Sequence, residues 1–248
     1  MEVAEYARIA AVEDGHWWYR NTRALMADLL GPWLGAGQTI LDAGCGPGGN
    51  GAWLAAHGTV VAVDLAPEAL AFVHERRHAL DPVRATVTQL PLASQSIDVA
   101  TAVTVLYAVD DDAAAARELA RVLRPGGALL LVEPALPKLQ RAHDRVVGGL
   151  RRYRRAGLTA ILEGAGLQVR RATYAYSFLV APAALLALAD RARPRPPRSA
   201  GSDVDRRALD PVFGRLAAAE RTHIARGGRV PFGTSVIVVA TRRDRRAG

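Results

Sequence analysis

A short apolar strand runs into a glycine-rich turn at Ile40-Leu41-Asp42-Ala43-Gly44-Cys45-Gly46-Pro47-Gly48-Gly49, and a helix continues after the turn. Glycines let the backbone approach a ligand closely, and the free N–H groups at a helix start point toward that ligand. A second apolar strand ends in Asp64, twenty residues after Gly44. A carboxylate at that position can accept hydrogen bonds from both hydroxyls of a ribose. The stretch therefore predicts a turn that binds a nucleoside.

Strands and helices alternate along the chain around this turn. The apolar runs predict strands at 39–43, 59–64, 83–88, 97–105, 128–133, 167–176 and 234–241. Helical patterns separate most of them, at 67–80, 111–123, 151–164 and 206–226. This alternation predicts the α/β class, with a mostly parallel sheet covered by helices on both faces.

The composition excludes several classes of protein. Half of the 248 residues are apolar and 23% are charged, so the chain as a whole is not disordered. The single cysteine, Cys45, excludes an internal disulfide and a cysteine-rich zinc or iron–sulfur site, and no metal site is predicted. The first residues lack the basic-then-apolar order of a secretory signal. We therefore expect a cytoplasmic location.

The charge is distributed unevenly. Residues 1–100 carry 6 basic and 11 acidic side chains, whereas residues 101–248 carry 26 and 13. Two explanations of this uneven charge remain open. One is a coding bias toward arginine, and the other is that the basic half binds phosphates, nucleic acid or anionic lipid. The uncharged stretch 172–189 contains Pro182 and begins within a predicted strand, which favours a flap over the active site or an interfacial patch, with peripheral membrane contact, over a transmembrane helix.

The glycine turn is also compatible with a dinucleotide site. Gly44, Gly46 and Gly49 satisfy the spacing G-x-G-x-x-G, but a lone match of this kind is weak. Asp42 stands two residues before Gly44, where a dinucleotide fold usually has an apolar residue. A carboxylate at that place favours a ligand with a cationic amine or sulfonium.

Four segments in order resemble the class I S-adenosylmethionine-dependent methyltransferases of the type 11 kind. They are 41–48, 61–65, 90–99 and the segment Glu118-Leu119-Ala120-Arg121-Val122-Leu123-Arg124-Pro125-Gly126-Gly127. The resemblance implies a Rossmann-like sheet of seven strands whose last strand is antiparallel. It also implies S-adenosylmethionine as cofactor, with S-adenosylhomocysteine as product.

The resemblance implies roles for individual residues. Gly44 and Gly46 would approach the methionine part of the cofactor, Asp64 its ribose, and Leu65 its adenine. Thr86 stands where the family often has an acid, so the contacts of 86–88 with adenine would be mostly through backbone. The full set of implied cofactor residues is Tyr19, Arg23, Asp42, Ala43, Gly44, Gly46, Asp64, Leu65, Val87, Thr88, Val103 and Thr104.

A second cluster, Glu13-Asp14-Gly15-His16-Trp17-Trp18-Tyr19-Arg20, resembles a segment that precedes the core in some type 11 relatives. As a lid, Trp18 or Tyr19 would shield the sulfonium, and Arg20 or Arg23 would hold the cofactor's carboxylate. Alternatively, the aromatic side chains pack against the sheet as ordinary core.

A third cluster contains His143 and Asp144, followed by Arg151, Arg152 and Tyr153. It follows the fifth strand, at the carboxyl end of the sheet, where open α/β folds bind ligands. Arg151, Arg152 and Tyr153 are candidates for holding an anionic substrate. The alternative is a basic helix exposed to solvent. Relatives have a histidine where this chain has Gly149.

The predicted function is methyl transfer to an oxygen or nitrogen of a small, apolar or anionic molecule. A base is needed only if the acceptor carries a proton at neutral pH, and the candidates are His16, Tyr107, Glu133 and His143. The alternatives are an RNA or protein methyltransferase that uses the basic half, a non-catalytic nucleoside-binding protein and a nicotinamide dehydrogenase. No DNA acceptor is expected, because no Asn/Asp-Pro-Pro-Tyr/Phe segment is present.

The predicted organisation has four parts. Residues 1–35 form a helical lid and 36–176 the cofactor-binding core. Residues 177–232 are an insertion over the acceptor site, and 233–248 hold the last strand and a basic tail.

Overall fold

The computed structural model describes residues 3–76, 79–192 and 209–243. One sheet of seven strands runs through the molecule in the order β3-β2-β1-β4-β5-β7-β6. Strands β1 to β5 are parallel, and β7 is antiparallel to both β5 and β6. The predicted fold class is therefore confirmed, including the antiparallel last strand. The strands are β1 (Gln38–Ala43), β2 (Gly58–Asp64), β3 (Asp81–Arg84), β4 (Ile97–Val103), β5 (Leu123–Pro134), β6 (Leu167–Ala175) and β7 (Ser235–Arg242).

Helices flank the sheet and precede it. Short 3-10 turns lie at Leu106–Ala108, Pro137–Leu139 and Ser177–Leu179. The α-helices are α1 (Val3–Val12), α2 (Trp17–Leu30), α3 (Gly49–Leu54), α4 (Pro67–Glu75), α5 (Asp112–Val122), α6 (Ala142–Val146), α7 (Arg155–Gly164), α8 (Val180–Ala192) and α9 (Asp210–Ala225). Among the described residues, no helix combines the length and apolarity that crossing a membrane requires.

The core lies along the middle strands. Residues 128–133 of β5 and 235–241 of β7 are buried. These strands are covered on both faces, which explains why they appear in the sequence as continuous apolar runs and not as alternating ones. The register pairs Glu133 with Val236 and Pro134 with Ser235. The carboxyl end of β5 therefore lies beside the first residues of β7.

Several boundaries differ from the sequence prediction, and three of them have a clear reason in the structure. Strand β3 ends at Arg84, because Thr86 forms an antiparallel bridge with Gln89 and turns the chain. Strand β5 begins at Leu123, which pairs with Ile97, so the Arg-Pro-Gly-Gly segment lies within the strand at an irregularity in register. Helix α7 begins at Arg155, because Tyr153 is extended and bridges Ala135.

Some predictions fall on residues that are not described. The predicted loop at 190–207 lies largely outside the described residues, as does the predicted frayed tail at 244–248. The predicted helix 206–226 is described from Asp210 onward as α9.

Candidate functional site

A cavity of about 790 Å³ opens at the carboxyl ends of β1, β2 and β4. Its volume lies in the range of cavities that hold cofactors and drug-sized ligands, about 300–1,000 Å³. Eight of the twelve predicted cofactor residues line it. They are Tyr19, Gly44, Gly46, Asp64, Leu65, Val87, Val103 and Thr104.

The glycine turn forms the floor of the cavity. Gly44 has a φ of +69°, and a Cβ there would overlap Cγ2 of Val105 and lie 3.1 Å from its Cγ1. The Gly44 and Cys45 amides donate hydrogen bonds to the Val63 carbonyl, at 2.7 and 2.9 Å. The turn is thus fixed to the end of β2 and packed against the segment that follows β4.

Asp64 is held in place by two backbone amides. Its Oδ2 accepts from the Gly46 amide at 3.0 Å, and its Oδ1 accepts from the Ala66 amide at 2.9 Å. Each oxygen retains a further acceptor site, since a carboxylate has about four. The carboxylate therefore lies at the cavity in a fixed orientation, with capacity to accept two hydroxyl donors.

Asp42 lies beneath the turn, not at the cavity wall. The side chain is fully buried; Oδ1 accepts from the Thr101 hydroxyl at 3.0 Å, and Oδ2 makes no well-formed hydrogen bond. Burial raises the pKa of this carboxyl to about 7, and the bond from Thr101 opposes the rise. Ala43, the next predicted cofactor residue, is also buried and does not line the cavity.

The raised pKa of Asp42 makes the stability of the protein depend on pH. The unfolded chain ionises this group above its ordinary pKa of 3.8, whereas the folded protein keeps it protonated up to about pH 7. Its contribution to the free energy of unfolding therefore falls across that window as pH rises. We expect Asp42→Asn to gain a few kcal/mol relative to the wild type between the two pH values, measured by urea unfolding. A constant difference would contradict this expectation.

The far end of the cavity is more apolar. Leu65 is 63% exposed, an unusual state for a leucine directly after a buried strand, and it lines the cavity with Ala85 and Val87. Thr88, a predicted adenine contact, lies outside the lining and shares a 2.8 Å hydrogen bond with the Thr86 hydroxyl. The neighbouring Thr86 lines the cavity instead.

Helix α1 and the turn after it cover this end. Tyr6, Ile9 and Val12, which belong to the segment predicted as a lid, line the cavity. Arg76 at the end of α4 joins the lid to the core through ion pairs with Glu13 and with Asp14, the latter at 2.6 Å. The predicted lid is therefore attached to the core by charge as well as by packing.

Glu13 is a residue of the cavity to which the sequence analysis gave no role. It is buried, lines the cavity and lies so close to the glycine turn that a Cβ on Gly49 would overlap its carboxylate. Burial raises its pKa, which Arg76 counteracts. The basic partner is far away in sequence, so only the pair Glu13-Asp14 before the aromatic run could have suggested it.

The aromatic cluster divides between the two alternatives. Trp18 and Tyr19 line the cavity, with ring centroids 4.9 Å apart in an edge-on arrangement. Trp17 is buried instead among Tyr176, Phe178 and Phe213, with centroids 5.5–5.9 Å away. Adjacent residues on a helix point about 100° apart, so one run contributes side chains both to the cavity lining and to the core.

Arg23 and Arg20 differ in burial. Arg20 is exposed. The Nη2 of Arg23 donates to the Glu13 carbonyl at 2.6 Å, and its buried Nη1 has no hydrogen-bond partner among the described residues. Arg23 does not line the cavity, but it is held against a residue that does.

The third cluster lies at the opposite end of the cavity. His143, Asp144 and Arg152 line it, and Arg152 forms two hydrogen bonds to the Asp144 carboxylate, at 2.7 and 3.1 Å. Tyr107 also lines it and donates to the Val147 carbonyl at 3.3 Å. Gly149 makes room for this ring, because a Cβ there would lie 2.5 Å from Cε2 of Tyr107.

Four of the candidate catalytic and substrate-binding residues do not line the cavity: His16, Arg151, Tyr153 and Glu133. His16 caps α2, accepting from the Trp18 amide at 3.2 Å, and its Nε2 lies 3.8 Å from Asp210. Arg151 pairs with Asp112 at 3.0 Å.

The Tyr153 hydroxyl donates to the Leu106 carbonyl and contacts Asp112. Glu133 is buried, and its oxygens accept from the amides of residues 105–107 at 2.8–3.2 Å. As placed, these two residues support the segment after β4 and do not reach a ligand. Burial raises the pKa of Glu133 to about 8.

In the ranges that the structure covers, no three His, Cys, Asp or Glu side chains lie close enough to hold a metal ion.

A family model described as a methyltransferase domain, of type 11, matches residues 41–131. That span runs from the second half of β1 into β5 and includes the glycine turn and Asp64.

Relatives with curated names are similar over part of the chain. A malonyl-[acyl-carrier protein] O-methyltransferase of Pseudescherichia vulneris is 34% identical over 149 residues, which cover 58% of each protein. A probable S-adenosylmethionine-dependent methyltransferase of Mycolicibacterium smegmatis is 31% identical, over 65% of this chain and 63% of that protein. A demethylmenaquinone methyltransferase of Mycobacterium marinum is 34% identical, over 52% and 53%. The chain thus spans about half the length of the curated relatives that it matches.

The fold also occurs in solved structures. An S-adenosylmethionine-dependent methyltransferase from Mesorhizobium loti superimposes with a TM-score of 0.61 at 20% identity, covering 93% of this chain and all of that one. At this identity the similarity shows the fold alone.

Proposed function

We propose that this protein transfers a methyl group to an oxygen or nitrogen of a small molecule. Its residues 41–131 belong to the type 11 family of class I S-adenosylmethionine-dependent methyltransferases. The observation that carries the proposal is that a glycine turn and the Asp64 carboxylate, which can accept from two hydroxyl donors, meet at one cavity. Glu13 and Asp64 line it, and Asp42 lies beneath its floor. The lining holds four acids and two arginines, and this excess of acids favours a ligand that carries positive charge.

The residues present fit S-adenosylmethionine. When bound, this cofactor supplies a methyl group activated by a positively charged sulfur. Asp64 would accept hydrogen bonds from the ribose hydroxyls, and Leu65 and Val87 would cover the adenine. Arg23, predicted to bind the carboxylate, does not line the cavity and would instead hold Glu13 in place at the cavity wall. Trp18 and Tyr19 would shield the cationic end from water.

Methyl transfer from sulfur is an in-line displacement, so the protein contributes mainly by positioning the acceptor. Positioning of this kind can lower a barrier by about 7–11 kcal/mol at best. Val103 ends β4 and Thr104 follows it, and both line the same cavity as the glycine turn and the cluster of His143 and Arg152. The acceptor would lie at that second end.

His143 is the candidate base that the geometry supports best. It lines the cavity, whereas His16 and Glu133 do not. Tyr107 lines it too, but burial raises the pKa of its hydroxyl well above the usual range, so it stays protonated at neutral pH. Arg152 is held by Asp144 and would present its remaining N–H groups to an anionic part of the acceptor.

His143→Gln should lower turnover by about a hundredfold, as expected when a general base is lost. The affinity for S-adenosylmethionine should stay unchanged, because His143 belongs to the other end of the cavity. The measurement compares kcat with the dissociation constant of the cofactor. An unchanged kcat would show that the acceptor needs no base or that another group acts.

The proposal is tested first by calorimetric titration with S-adenosylmethionine, S-adenosylhomocysteine, NAD and NADP. Binding of the first two and not of the nicotinamides is expected, and the reverse would refute it. Formation of S-adenosylhomocysteine is then measured with malonyl-acyl carrier protein and demethylmenaquinone, the acceptors that the relatives' names suggest. Cofactor binding without turnover on any acceptor would favour the non-catalytic alternative.

A further inference from the structure

Helix α8 buries small apolar side chains and exposes large ones. An ordinary surface helix does the reverse. Ala187 is buried and Ala183 and Ala184 are half-buried, so small residues face the protein. Leu185 and Leu188 are 68% and 59% exposed, so large apolar residues face outward. A surface helix of a water-soluble protein normally buries its leucines and exposes polar groups.

The outward leucines continue a wider apolar face. Leu186 is also exposed, as are Ala181, Pro182 and Ala189. In α8, the charged residues are Asp190 and Arg191, both in the last turn. Large contiguous apolar surfaces on soluble proteins mark sites of interaction with proteins or membranes.

Cations border this apolar face. Arg191 is exposed, and its Nη2 donates to the Lys138 carbonyl at 2.6 Å, which brings the exposed Lys138 beside the end of α8. Asp190, in the same turn, is paired with Arg141 at 2.8 Å. Among the described residues, this end of α8 therefore has Arg191, Lys138 and Arg141 against the single acid Asp190, a net positive charge.

The same contacts place α8 next to the acceptor end of the cavity. Arg141, which Asp190 holds, is the residue before α6, and α6 contributes His143 and Asp144 to the cavity lining. A ligand that moves from the outer face of α8 into the cavity would therefore enter at the end lined by His143 and Asp144.

We propose that α8 and its cationic border bind the surface of an anionic membrane, and that the methyl acceptor is an amphiphile taken from that membrane. Exposed leucines next to Lys and Arg are the combination that holds an interfacial helix, because apolar insertion and attraction to anionic headgroups add. An acidic protein partner would use the cations but would leave the leucines unexplained. The acceptor part rests on the proposed function, whereas the surface does not.

The test is sedimentation of the purified full chain with vesicles. Two compositions are compared, phosphatidylcholine alone and an equimolar mixture of phosphatidylcholine and phosphatidylglycerol. We expect binding to the anionic vesicles and at least tenfold weaker binding to the neutral ones.

Two variants separate the contributions of the surface. Leu185→Ser with Leu188→Ser should weaken binding to the anionic vesicles by tenfold or more. The matched control is Val212→Ser with Leu216→Ser on α9, which removes side chains that are 51% and 44% exposed and should leave binding unchanged. Lys138→Gln with Arg191→Gln should reduce binding about tenfold.

Several outcomes would overturn the inference. These are no binding to either vesicle, equal loss in the α9 control, or a wild-type dimer that the Leu185 and Leu188 variant converts to a monomer in light scattering. Calorimetric affinity for S-adenosylmethionine, measured on the same variants, should not change. Vesicle binding without cofactor binding would refute the proposed function and leave the membrane surface standing.

Discussion

Asp64→Ala is expected to lower the affinity for S-adenosylmethionine by on the order of a thousandfold. The carboxylate would make two hydrogen bonds to the ribose, and bonds to charged groups contribute about 1.5–3 kcal/mol each. The variant also removes the acceptors of the Gly46 and Ala66 amides. The glycine turn would then lose an attachment to the end of β2. Calorimetric titration measures the affinity, and thermal unfolding reports whether the fold survives.

Two further variants make this result interpretable. Asp64→Asn keeps an acceptor for one of the two amides and should lose less affinity than alanine does. Asp81→Ala removes an exposed acid at the start of β3, on the strand beside β2, and should leave the affinity unchanged. Full cofactor binding by a folded Asp64→Ala protein would remove the ribose contact from the proposed site.

The cofactor end was predictable because its signal is local in sequence. A strand that ends in glycines and a second strand that ends in an acid need only adjacent parallel pairing to bring Gly46 and Asp64 together, and the structure has that pairing. The number of strands and the antiparallel β7 followed from the resemblance, whereas the order of the strands was not predicted. Turns were predicted less well: no sequence pattern indicated that Thr86 would bridge Gln89 and end β3 early.

The other end of the cavity was less predictable because it depends on distant pairings. Arg152 pairs with Asp144, which their spacing in the sequence could suggest. Tyr153, however, follows β5 in the chain and contacts Asp112, which precedes β5. Glu133 looked like a candidate base, yet its oxygens are occupied by the amides of the segment after β4. Which acids face a cavity and which support a turn is decided by long-range packing.

Gly44→Ala is expected to destabilise the protein by about 4 kcal/mol. One part is the backbone, because a φ of +69° costs a residue with a Cβ about 1–3 kcal/mol. The other part is the overlap of that Cβ with Val105, since overpacking costs about 1–3 kcal/mol more. Urea unfolding measures the sum.

A neighbouring glycine separates the two parts. Gly46 also has a positive φ, +52°, but a Cβ there meets no atom within 4 Å. Gly46→Ala should therefore cost only the backbone part, about 1–3 kcal/mol. Adding Val105→Ala to Gly44→Ala should lower the cost of the glycine substitution toward that of Gly46→Ala, because it removes the methyl groups that a Cβ at 44 would meet. If the two glycine variants cost the same, the turn does not pack against Val105 as described, and the floor of the cavity lies elsewhere.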